Sequence, residues 1–359
     1  KTAGKENLCG RLSADRFLFL QEADPRWLTG EGKELEPEVL NHKVTFRWGV
    51  YEITDRTIQV EQMCDRARLA AQTIKGKYNQ LLAVYDDALR AKLLREQAIS
   101  DAMEPALANE EFAVYLQPKY SLKQGCIAGA EALVRWIHPQ WGFMSPGEFI
   151  PLFEKNGFIP RLDRYMWDKV CRLLGRWKRE GHPMIPISVN VSRADIFQQD
   201  LVKTLTGLTE KYGVEPKYLH LEITESAYVN NASRIVEKLK ELRQLGFPIE
   251  MDDFGSGYSS LNMLGQLRLD ILKLDMQFVR NETGKPEDRS ILRDIVTMGH
   301  RLGLGIVAEG AETQQQVERL KAAGCDYVQG YFFAKPMPLD QFEEHWKAQN
   351  YARVNPEEK

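Results

Sequence analysis

From about residue 110 onward, short apolar runs alternate with longer amphipathic segments such as 162–181 and 232–246. The short runs predict eight strands, and the longer segments predict helices between most of them. The predicted strands are FAVYLQP (112–118), CIAGAEALVRW (126–136), IPISVNV (185–191), YLHLEIT (218–224), FPIEMDD (247–253), DILKLD (270–275), LGIVAE (304–309) and DYVQGY (326–331). Eight strands in roughly 240 residues match the size of a β/α barrel, so we predict a TIM-like α/β barrel. An open, doubly wound sheet has the same alternation and is the alternative.

The first part of the chain has a different pattern, in which strand-like runs are separated by a polar loop. Strands are predicted at 16–21, 43–53 and 80–85, and a helix at 60–76. Residues 87–104 contain strong helix formers and neither Gly nor Pro, and we expect Pro105 to end or kink that helix. The predicted organisation is a small α+β domain over 1–86, a connecting helix over 87–107, the barrel over 108–350 and a C-terminal tail over 351–359.

Composition and charge exclude several classes of protein. With 43% hydrophobic and 28% charged residues, the chain has the composition of a soluble globular protein. A net charge of −3 gives no electrostatic reason to expect a nucleic acid polymer as partner, and no apolar run reaches the roughly 18 residues of a membrane span. Five cysteines without a C-x-x-C pair disfavour zinc and disulfides and favour the cytoplasm. Because the sequence begins at Lys1 and not at a methionine, we expect further sequence upstream. Whether that upstream sequence contains a membrane anchor is an open alternative.

Every predicted barrel strand carries a polar or charged residue within it or near its C-terminal end. In strand order these are Gln117, Glu131, Asn190, Glu222, Asp252 with Asp253, Lys273, Glu309 and Gln329. The C-terminal ends of the strands of a β/α barrel meet at one mouth, where active sites are built. We therefore expect these side chains to converge. Taken singly, each of them has the simpler interpretation of a turn former or a solvated surface residue.

Convergence would bring five carboxylates and one ammonium group together, with a formal excess of four negative charges. Two unit charges about 4 Å apart interact by about 4 kcal/mol at an effective dielectric constant of 20. Several such repulsions would rival the stability of a domain, roughly 5–15 kcal/mol. Either some acids are protonated or cations lie among them, and two divalent ions would balance the charge.

The candidate ligands are all oxygen atoms, which favours Mg²⁺ or Mn²⁺ over zinc. The adjacent carboxylates of Asp252 and Asp253 could reach two ions about 3.5–4 Å apart, the spacing used to hydrolyse phosphodiesters. The sequence therefore predicts a site for two hard cations at the barrel mouth.

The segment EALVRW (131–136) resembles the signature of the EAL-domain phosphodiesterases, which hydrolyse cyclic di-GMP to the linear dinucleotide pGpG. Further segments resemble this family in its order: YLQPKY (115–120), SPGEFIPLFEKNGFI (145–159), SVNVS (188–192), LEITES (221–226), MDDFGSGYSSL (251–261), LKLD (272–275), AEGAET (308–313) and VQGYFFAKPMP (328–338). A lone E-A-L is a weak signal, whereas ordered motifs across 108–345 are specific. The resemblance implies a barrel with two Mg²⁺ or Mn²⁺ ions, cyclic di-GMP as substrate and a homodimer.

The resemblance also implies roles for individual residues. One ion would be held by Glu131, Asn190, Glu222 and Asp252. Asp252 and Asp253 would hold the second ion, and Glu309 would be a metal ligand or proton acceptor. Lys273 would orient the attacking water or stabilise charge on the phosphate, so the catalytic set is Glu131, Asp252, Lys273 and Glu309. The substrate-binding set is Gln117, Leu133, Arg135 and Gln329, and Glu225 would stabilise the DDFGSG loop.

None of these positions departs from the family pattern, which favours hydrolysis over the alternative of a non-catalytic cyclic di-GMP receptor that signals through the connecting helix. A third hypothesis is a metal-dependent phosphodiesterase for a different nucleotide, against which the motif around Arg135 argues.

The segment GRLSADRFLFL (10–20) resembles the R-x-G-G-D-E-F hairpin of diguanylate cyclases. At the Gly-Gly-Asp-Glu-Phe positions this chain has Ser13, Ala14, Asp15, Arg16 and Phe17. Both glycines and one metal-binding carboxylate are missing, so the resemblance predicts a partial, degenerate GGDEF-like domain that is regulatory and has no cyclase activity. An unrelated α/β appendage is the alternative.

Overall fold

The computed structural model of the chain describes residues 8–13, 15–23, 38–39, 42–43, 46–77, 80–225, 232–255, 264, 267–275, 277–278 and 291–354. The chain divides into two compact units, Lys1–Asp101 and Ala102–Lys359. The strands of the described residues are β1 Leu8–Ser13, β2 Arg16–Leu20, β3 Glu38–Val39, β4 His42–Lys43, β5 Trp48–Val50, β6 Leu82–Val84, β7 Phe112–Ser121, β8 Cys126–His138, β9 Gly142–Met144, β10 Ile187–Asn190, β11 Leu219–Thr224, β12 Ile249–Phe254, β13 Ile271–Leu274, β14 Gly305–Glu309, β15 Tyr327–Gln329 and β16 Met337–Pro338. Within the same residues the α-helices are α1 Val60–Thr73, α2 Asp87–Ala108, α3 Pro146–Asn156, α4 Ile159–Arg179, α5 Arg193–Ile196, α6 Leu201–Tyr212, α7 Ala232–Gln244, α8 Ile291–Arg301, α9 Gln314–Ala323 and α10 Leu339–Val354.

The first unit contains an antiparallel hairpin of β1 and β2, in which Leu8 pairs with Leu20. The parallel strands β5 and β6 are connected through α1. A Cβ atom at Gly49 of β5 would lie 1.9 Å from the carbonyl oxygen of Ala67 in α1, so only glycine permits this close approach. The predicted helix 60–76 and the strands 16–21 and 80–85 are confirmed as α1, β2 and β6, within a few residues at their ends. The single strand predicted over 43–53 is wrong, because β4 ends at Lys43 and pairs with β3, whereas β5 covers only Trp48–Val50 and pairs with β6. Ala14 and residues 44–45 lie outside the described residues.

Helix α2 covers the predicted connector, and the boundary between the two units falls inside it. Pro105 lies in the last turn of this helix, which continues to Ala108. Proline lacks an N–H donor, so the helix loses one internal hydrogen bond there without ending.

The second unit contains a closed barrel of eight strands. The order around the barrel is β7, β8, β10, β11, β12, β13, β14 and β15, and β15 pairs with β7 to close the sheet. The prediction of a TIM-like α/β barrel and the eight strand positions are confirmed. The open, doubly wound sheet is wrong, because such a sheet would have two unpaired edges.

The first barrel strand departs from the predicted parallel arrangement. β7 runs antiparallel to β8 and to β15, while the other neighbouring barrel strands are parallel. Only residues 122–125 connect β7 to β8, with Gly125 at φ 65°. That length suits a hairpin, whereas parallel neighbours need a crossover of about a dozen residues or more. The expectation that every strand points its C-terminal end to the mouth is therefore wrong for β7.

The barrel separates apolar and polar side chains by strand periodicity. In β12, buried Ile249 and Met251 alternate with Glu250 and Asp252. Successive side chains of a strand point to opposite faces, so the apolar pair faces the surrounding helices and the acidic pair faces the interior. Glu250 accordingly contacts Lys119 of β7, which is not a neighbour of β12 in the sheet.

Short additions extend this barrel. β9 forms a hairpin with β8, and β16 pairs with β7. Helix α10 continues to Val354, inside the segment predicted as a tail. In the part of the chain that the structure describes, no helix has both the length and the hydrophobicity needed to cross a bilayer.

Candidate active site

The side chain of Lys273 lies at the centre of the residues predicted for the barrel mouth. Its Nζ atom is 2.7 Å from Glu309 Oε1 and 3.0 Å from Asp252 Oδ1. The same atom is 3.3 Å from Glu131 Oε2 and also contacts Glu222. These four carboxylates come from β8, β11, β12 and β14, so their meeting confirms the predicted convergence across the barrel.

Charges inside the mouth are strongly coupled. Burial lowers the pKa of Lys273, but the surrounding carboxylates more than offset this effect and place that pKa well above 10.5. Burial, and then the charge of Glu131, raise the pKa of Glu222 well above 4.5 although Lys273 lowers it. Glu222 Oε2 is buried and has no hydrogen-bond partner among the residues the structure describes. Burying a carboxylate oxygen without a partner is costly, so this atom is suited to binding a cation.

Two groups of carboxylates could each hold a metal ion. One group is Glu131, Glu222 and Glu309, and the other is Asp252, Asp253 and Glu309. Within each group, one oxygen atom per residue lies within 4.8 Å of the others. Glu309 belongs to both groups, whereas the family resemblance implies that Asp252 is the shared ligand. Because all donors are oxygen atoms, the groups fit Mg²⁺ or Mn²⁺.

Two of the acids in the second group have raised pKa values. Burial raises the pKa of Glu309 to about 7, although Lys273 opposes the shift. Burial, followed by the charge of Asp252, raises the pKa of Asp253. Both shifts are typical of carboxylates that lie close together and are partly withdrawn from water.

The adjacent aspartates lie at an irregular point of β12, where its register with β13 shifts between Met251 and Phe254. Asp253 has φ 55°, and its backbone N–H donates to Asp252 Oδ1 at 2.9 Å. A left-handed backbone at a residue other than glycine costs of order 1–3 kcal/mol and is typical of functional sites. Gly255 follows at φ 96°, and a Cβ atom there would lie 2.0 Å from Phe278 Cε2.

The predicted loop-stabilising residue, Glu225, contacts Gly255, the turn residue that follows β12. Glu225 Oε2 accepts a hydrogen bond from the backbone N–H of Gly255 at 3.4 Å. Residues 256–263 of the same loop lie outside the described residues.

Two buried glutamines support the acid cluster. Gln329 Nε2 donates to Glu131 Oε2 at 2.5 Å and to Gln117 Oε1 at 3.0 Å. Gln117 is the register partner of Glu131, and its Nε2 atom donates to the carbonyl oxygen of Ala334 at 3.3 Å. The structure therefore places both glutamines at the site, where their contacts orient Glu131.

Leu133 and Arg135 follow Glu131 on the same face of β8. The guanidinium carbon of Arg135 lies 5.6 Å from the ring centre of Tyr115, and its Nη1 donates to the carbonyl oxygen of Val134 at 2.8 Å. Burial lowers the pKa of Arg135. Tyr115 was not predicted as a site residue. It is the register partner of Leu133 in the β7–β8 hairpin. Its position beside Arg135 could be predicted only if the antiparallel pairing of β7 with β8 were already known.

Asn190, at the end of β10, is the register partner of Glu222. Its side chain is exposed, and its backbone carbonyl accepts a hydrogen bond from Trp167 Nε1 at 2.9 Å. The structure thus brings Asn190 to the edge of the acid cluster and fixes its backbone.

Comparisons with known proteins agree with this geometry. A protein-family model described as EAL domain matches residues 98–336. Cyclic di-GMP phosphodiesterase NbdA of Pseudomonas aeruginosa is 34% identical over 298 residues, which cover 83% of this chain and 38% of NbdA. Signaling protein YkoW of Bacillus subtilis is 33% identical over 356 residues, which cover 93% of this chain and 43% of YkoW. The chain therefore spans less than half the length of these two relatives.

A solved structure shares the barrel. The PaMucR phosphodiesterase, in complex with c-di-GMP, superposes with a TM-score of 0.65 at 37% identity. The match covers 68% of this chain and 99% of that chain. The family model matches well over half of the residues, in the same region as the barrel and its acid cluster. The chain belongs to the EAL-domain family.

Proposed function

We propose that the barrel hydrolyses one 3′–5′ phosphodiester bond of cyclic di-GMP to give linear pGpG. The observation that carries the proposal is the convergence of five carboxylates from four strands of an EAL-family barrel, with one buried lysine among them. The names of NbdA and PaMucR support the substrate and the reaction.

The acids at the mouth would hold two Mg²⁺ or Mn²⁺ ions. In this proposal Asp252 and Asp253 bind one ion, and the ligands of the other are Glu131, Asn190, Glu222 and Asp252. When bound, such ions lower the pKa of a coordinated water and offset charge on the phosphate. Glu309 is within reach of both groups and completes either one.

Other side chains would position the reacting groups. Hydrolysis forms a bond between the water oxygen and phosphorus and breaks the phosphorus–O3′ bond. The attacking water gives up one proton, and the leaving O3′ takes up one proton. Where Glu309 does not itself bind an ion, its carboxylate beside Lys273 Nζ is suited to accept the proton of the water. The charged ammonium group of Lys273 orients the water or stabilises charge on the phosphate. Arg135, beside Leu133, presents a planar guanidinium suited to a phosphate oxygen.

The test is to incubate the purified protein with cyclic di-GMP and Mg²⁺ and to separate the products by chromatography. We expect pGpG from the wild type and none from Glu131→Ala. Glu215→Ala is the matched control, since Glu215 is exposed and paired with Lys217 away from the barrel strands. Activity that survives Glu131→Ala would contradict the metal assignment. Binding of cyclic di-GMP by the wild type without any product would support a receptor.

We also propose that residues 1–86 are a degenerate GGDEF-like regulatory domain, joined by the connecting helix 87–107 to the barrel over 108–350. The β1–β2 hairpin and the β5–α1–β6 unit support this interpretation. Incubation with GTP should therefore yield no cyclic di-GMP. The family resemblance further predicts a homodimer, which sedimentation velocity would test, and a monomer at all concentrations would contradict it.

A further inference from the structure

The barrel interior contains a second set of polar side chains, here called the lower network: Lys119, Ser188, His220 and Glu250. Lys119 Nζ donates to Glu250 Oε2 at 2.5 Å and to Ser188 Oγ at 2.7 Å. Ser188 Oγ donates to Glu250 Oε1 at 2.8 Å, and His220 Nδ1 lies 2.6 Å from the same oxygen. All four side chains therefore join one hydrogen-bonded unit.

Each member of the lower network lies two residues from a residue of the candidate site on the same strand. The pairs are Lys119 with Gln117 on β7, Ser188 with Asn190 on β10, His220 with Glu222 on β11, and Glu250 with Asp252 on β12. Side chains two residues apart share a face of a strand and are separated by about 7 Å. The lower network therefore forms a layer directly beneath the site.

The network connects strands that are not neighbours in the sheet. β10, β11 and β12 are adjacent, whereas β7 reaches them only across the barrel interior. Lys119 supplies that cross-barrel contact, through Glu250 on β12 and Ser188 on β10.

Burial and charge make this network rigid. The exposed fractions are 5% for Lys119, 1% for Ser188 and 0% for Glu250. Burial would raise the pKa of Glu250, but Lys119 and His220 hold it below its ordinary value, so the glutamate is ionised opposite the lysine. A buried polar network whose members are paired has few alternative arrangements.

We propose that Lys119, Ser188 and Glu250 are positioning residues, whose joint cross-barrel contacts fix the spacing of β7, β10, β11 and β12 and thereby the cation-binding geometry at the mouth. This inference rests on the proposed function, because the groups it positions are those of the proposed metal site. When a residue that orients a metal ligand without touching the metal is replaced, metal affinity typically falls by about 10–100-fold.

The test uses the double variant Lys119→Met/Glu250→Met in the full chain. Replacing both members of a buried ion pair by apolar residues of similar size is often neutral for stability, so we expect this variant to fold. Calorimetric titration with Mn²⁺ at a temperature where the proteins are folded should show affinity reduced by about tenfold or more. A folded variant whose Mn²⁺ affinity stays within about twofold of wild type would overturn the proposal.

If the double variant does not fold, Ser188→Ala tests the positioning role instead. It keeps both charges and removes only the hydroxyl that joins them, and we expect Mn²⁺ affinity to fall by about threefold or more. Wild-type Mn²⁺ affinity in Ser188→Ala would then overturn the proposal.

Tyr120→Phe is the matched control, because Tyr120 lies next to Lys119 but on the opposite face of β7. Its buried hydroxyl contacts His345 Nε2 at 2.6 Å and accepts from Gln349 at 3.0 Å. Its loss should lower the melting temperature and leave Mn²⁺ affinity unchanged, and an equal loss of affinity in this control would overturn the proposal.

The metal titration also separates this inference from the proposed function. If the wild type forms no pGpG but the lower-network variants still lose Mn²⁺ affinity, the proposed function fails and the positioning role stands. If the wild type binds no Mn²⁺, there is no cation site to position and the inference fails as well.

Discussion

Two polar layers lie inside the same barrel, and they balance charge in different ways. In the lower network one lysine faces one glutamate at 2.5 Å, and a hydroxyl and an imidazole complete the contacts. At the mouth one lysine faces four carboxylates, and Glu222 Oε2 has no hydrogen-bond partner within the described ranges. The lower network is thus complete within the folded chain, whereas the mouth has an excess of carboxylates, which cations would balance in the proposed function. Charge balance therefore distinguishes a polar cluster that supports structure from one that binds a ligand.

Metal removal should produce the largest difference between the two layers. EDTA should abolish pGpG formation while leaving the lower network intact, because only the mouth depends on added cations. Mg²⁺ or Mn²⁺ should restore the rate, whereas Ca²⁺ should not, since its larger and more flexible coordination disturbs a two-ion geometry. Chromatography of the product after each addition measures this. Equal rates with Ca²⁺ and Mg²⁺, or undiminished activity in EDTA, would contradict the comparison.

Glu222→Gln tests the mouth by removing one charge with almost no change in shape. Loss of a ligand should reduce the stabilisation of transition-state charge by several kcal/mol, which corresponds to a fall in kcat/KM of about 1,000-fold. The kinetics of pGpG formation give this value, with the exposed Glu215→Gln as the control variant. A fall of less than about tenfold would show that Glu222 is not a metal ligand.

Replacing each buried lysine by methionine compares the two layers directly. Breaking a buried ion pair by removing one partner costs about 3–5 kcal/mol, so Lys273→Met and Lys119→Met should each lower the free energy of unfolding by that order in the absence of metal. Saturating Mn²⁺ should restore much of the free energy of unfolding that Lys273→Met loses relative to wild type, since ions that bind only the folded state stabilise it. Mn²⁺ should stabilise Lys119→Met and the wild type alike and so leave the difference between them unchanged, because Glu250 is not one of the ligands. Urea unfolding with and without Mn²⁺ measures both effects, and equal recovery would contradict the distinction.

A third buried polar cluster, Asp163 with Asp195, sharpens the comparison, because a bound proton reduces the repulsion between its two carboxyl groups. Burial, and then the contact with Asp195, raise the pKa of Asp163 well above 3.8. The folded chain therefore retains a proton that the unfolded chain releases above about pH 4, and stability falls by up to about 1.4 kcal/mol per pH unit until the folded-state pKa is passed.

Asp163→Asn keeps a donor for Asp195 but does not titrate. Its stability relative to wild type should therefore increase between about pH 5 and about pH 7, by up to about 1.4 kcal/mol per pH unit. Urea unfolding at the two pH values measures this difference. A difference that is independent of pH would show that Asp163 carries no such proton.

The sequence predicted the barrel because its strands combine two readable signals. Buried residues such as Ile249 and Met251 mark the outward face, and polar residues at the strand ends mark the mouth. Strand direction is not contained in this pattern, since an apolar run has the same period in either direction. The short connection 122–125, with its glycine, was the available signal for the antiparallel β7.

The rest of the site depends on contacts between distant parts of the chain. Lys119 and Glu250 are polar residues within strands, and only closure of the barrel brings β7 opposite β12. The contact of Tyr115 with Arg135 similarly depends on the register of the β7–β8 hairpin. The left-handed backbone of Asp253 is also not predicted by residue type, because aspartate adopts that conformation more often than most residues but still in a small minority of positions.

The number of Mn²⁺ ions bound per chain tests the central claim most directly. Equilibrium dialysis followed by elemental analysis, with wild type and Glu222→Gln side by side, measures that number without reference to any substrate. We predict about two ions per chain in the wild type and fewer in the variant, because the mouth requires that much positive charge to balance its carboxylates. A wild-type chain that binds no Mn²⁺, or a variant that binds as many ions as the wild type with equal affinity, would contradict the account.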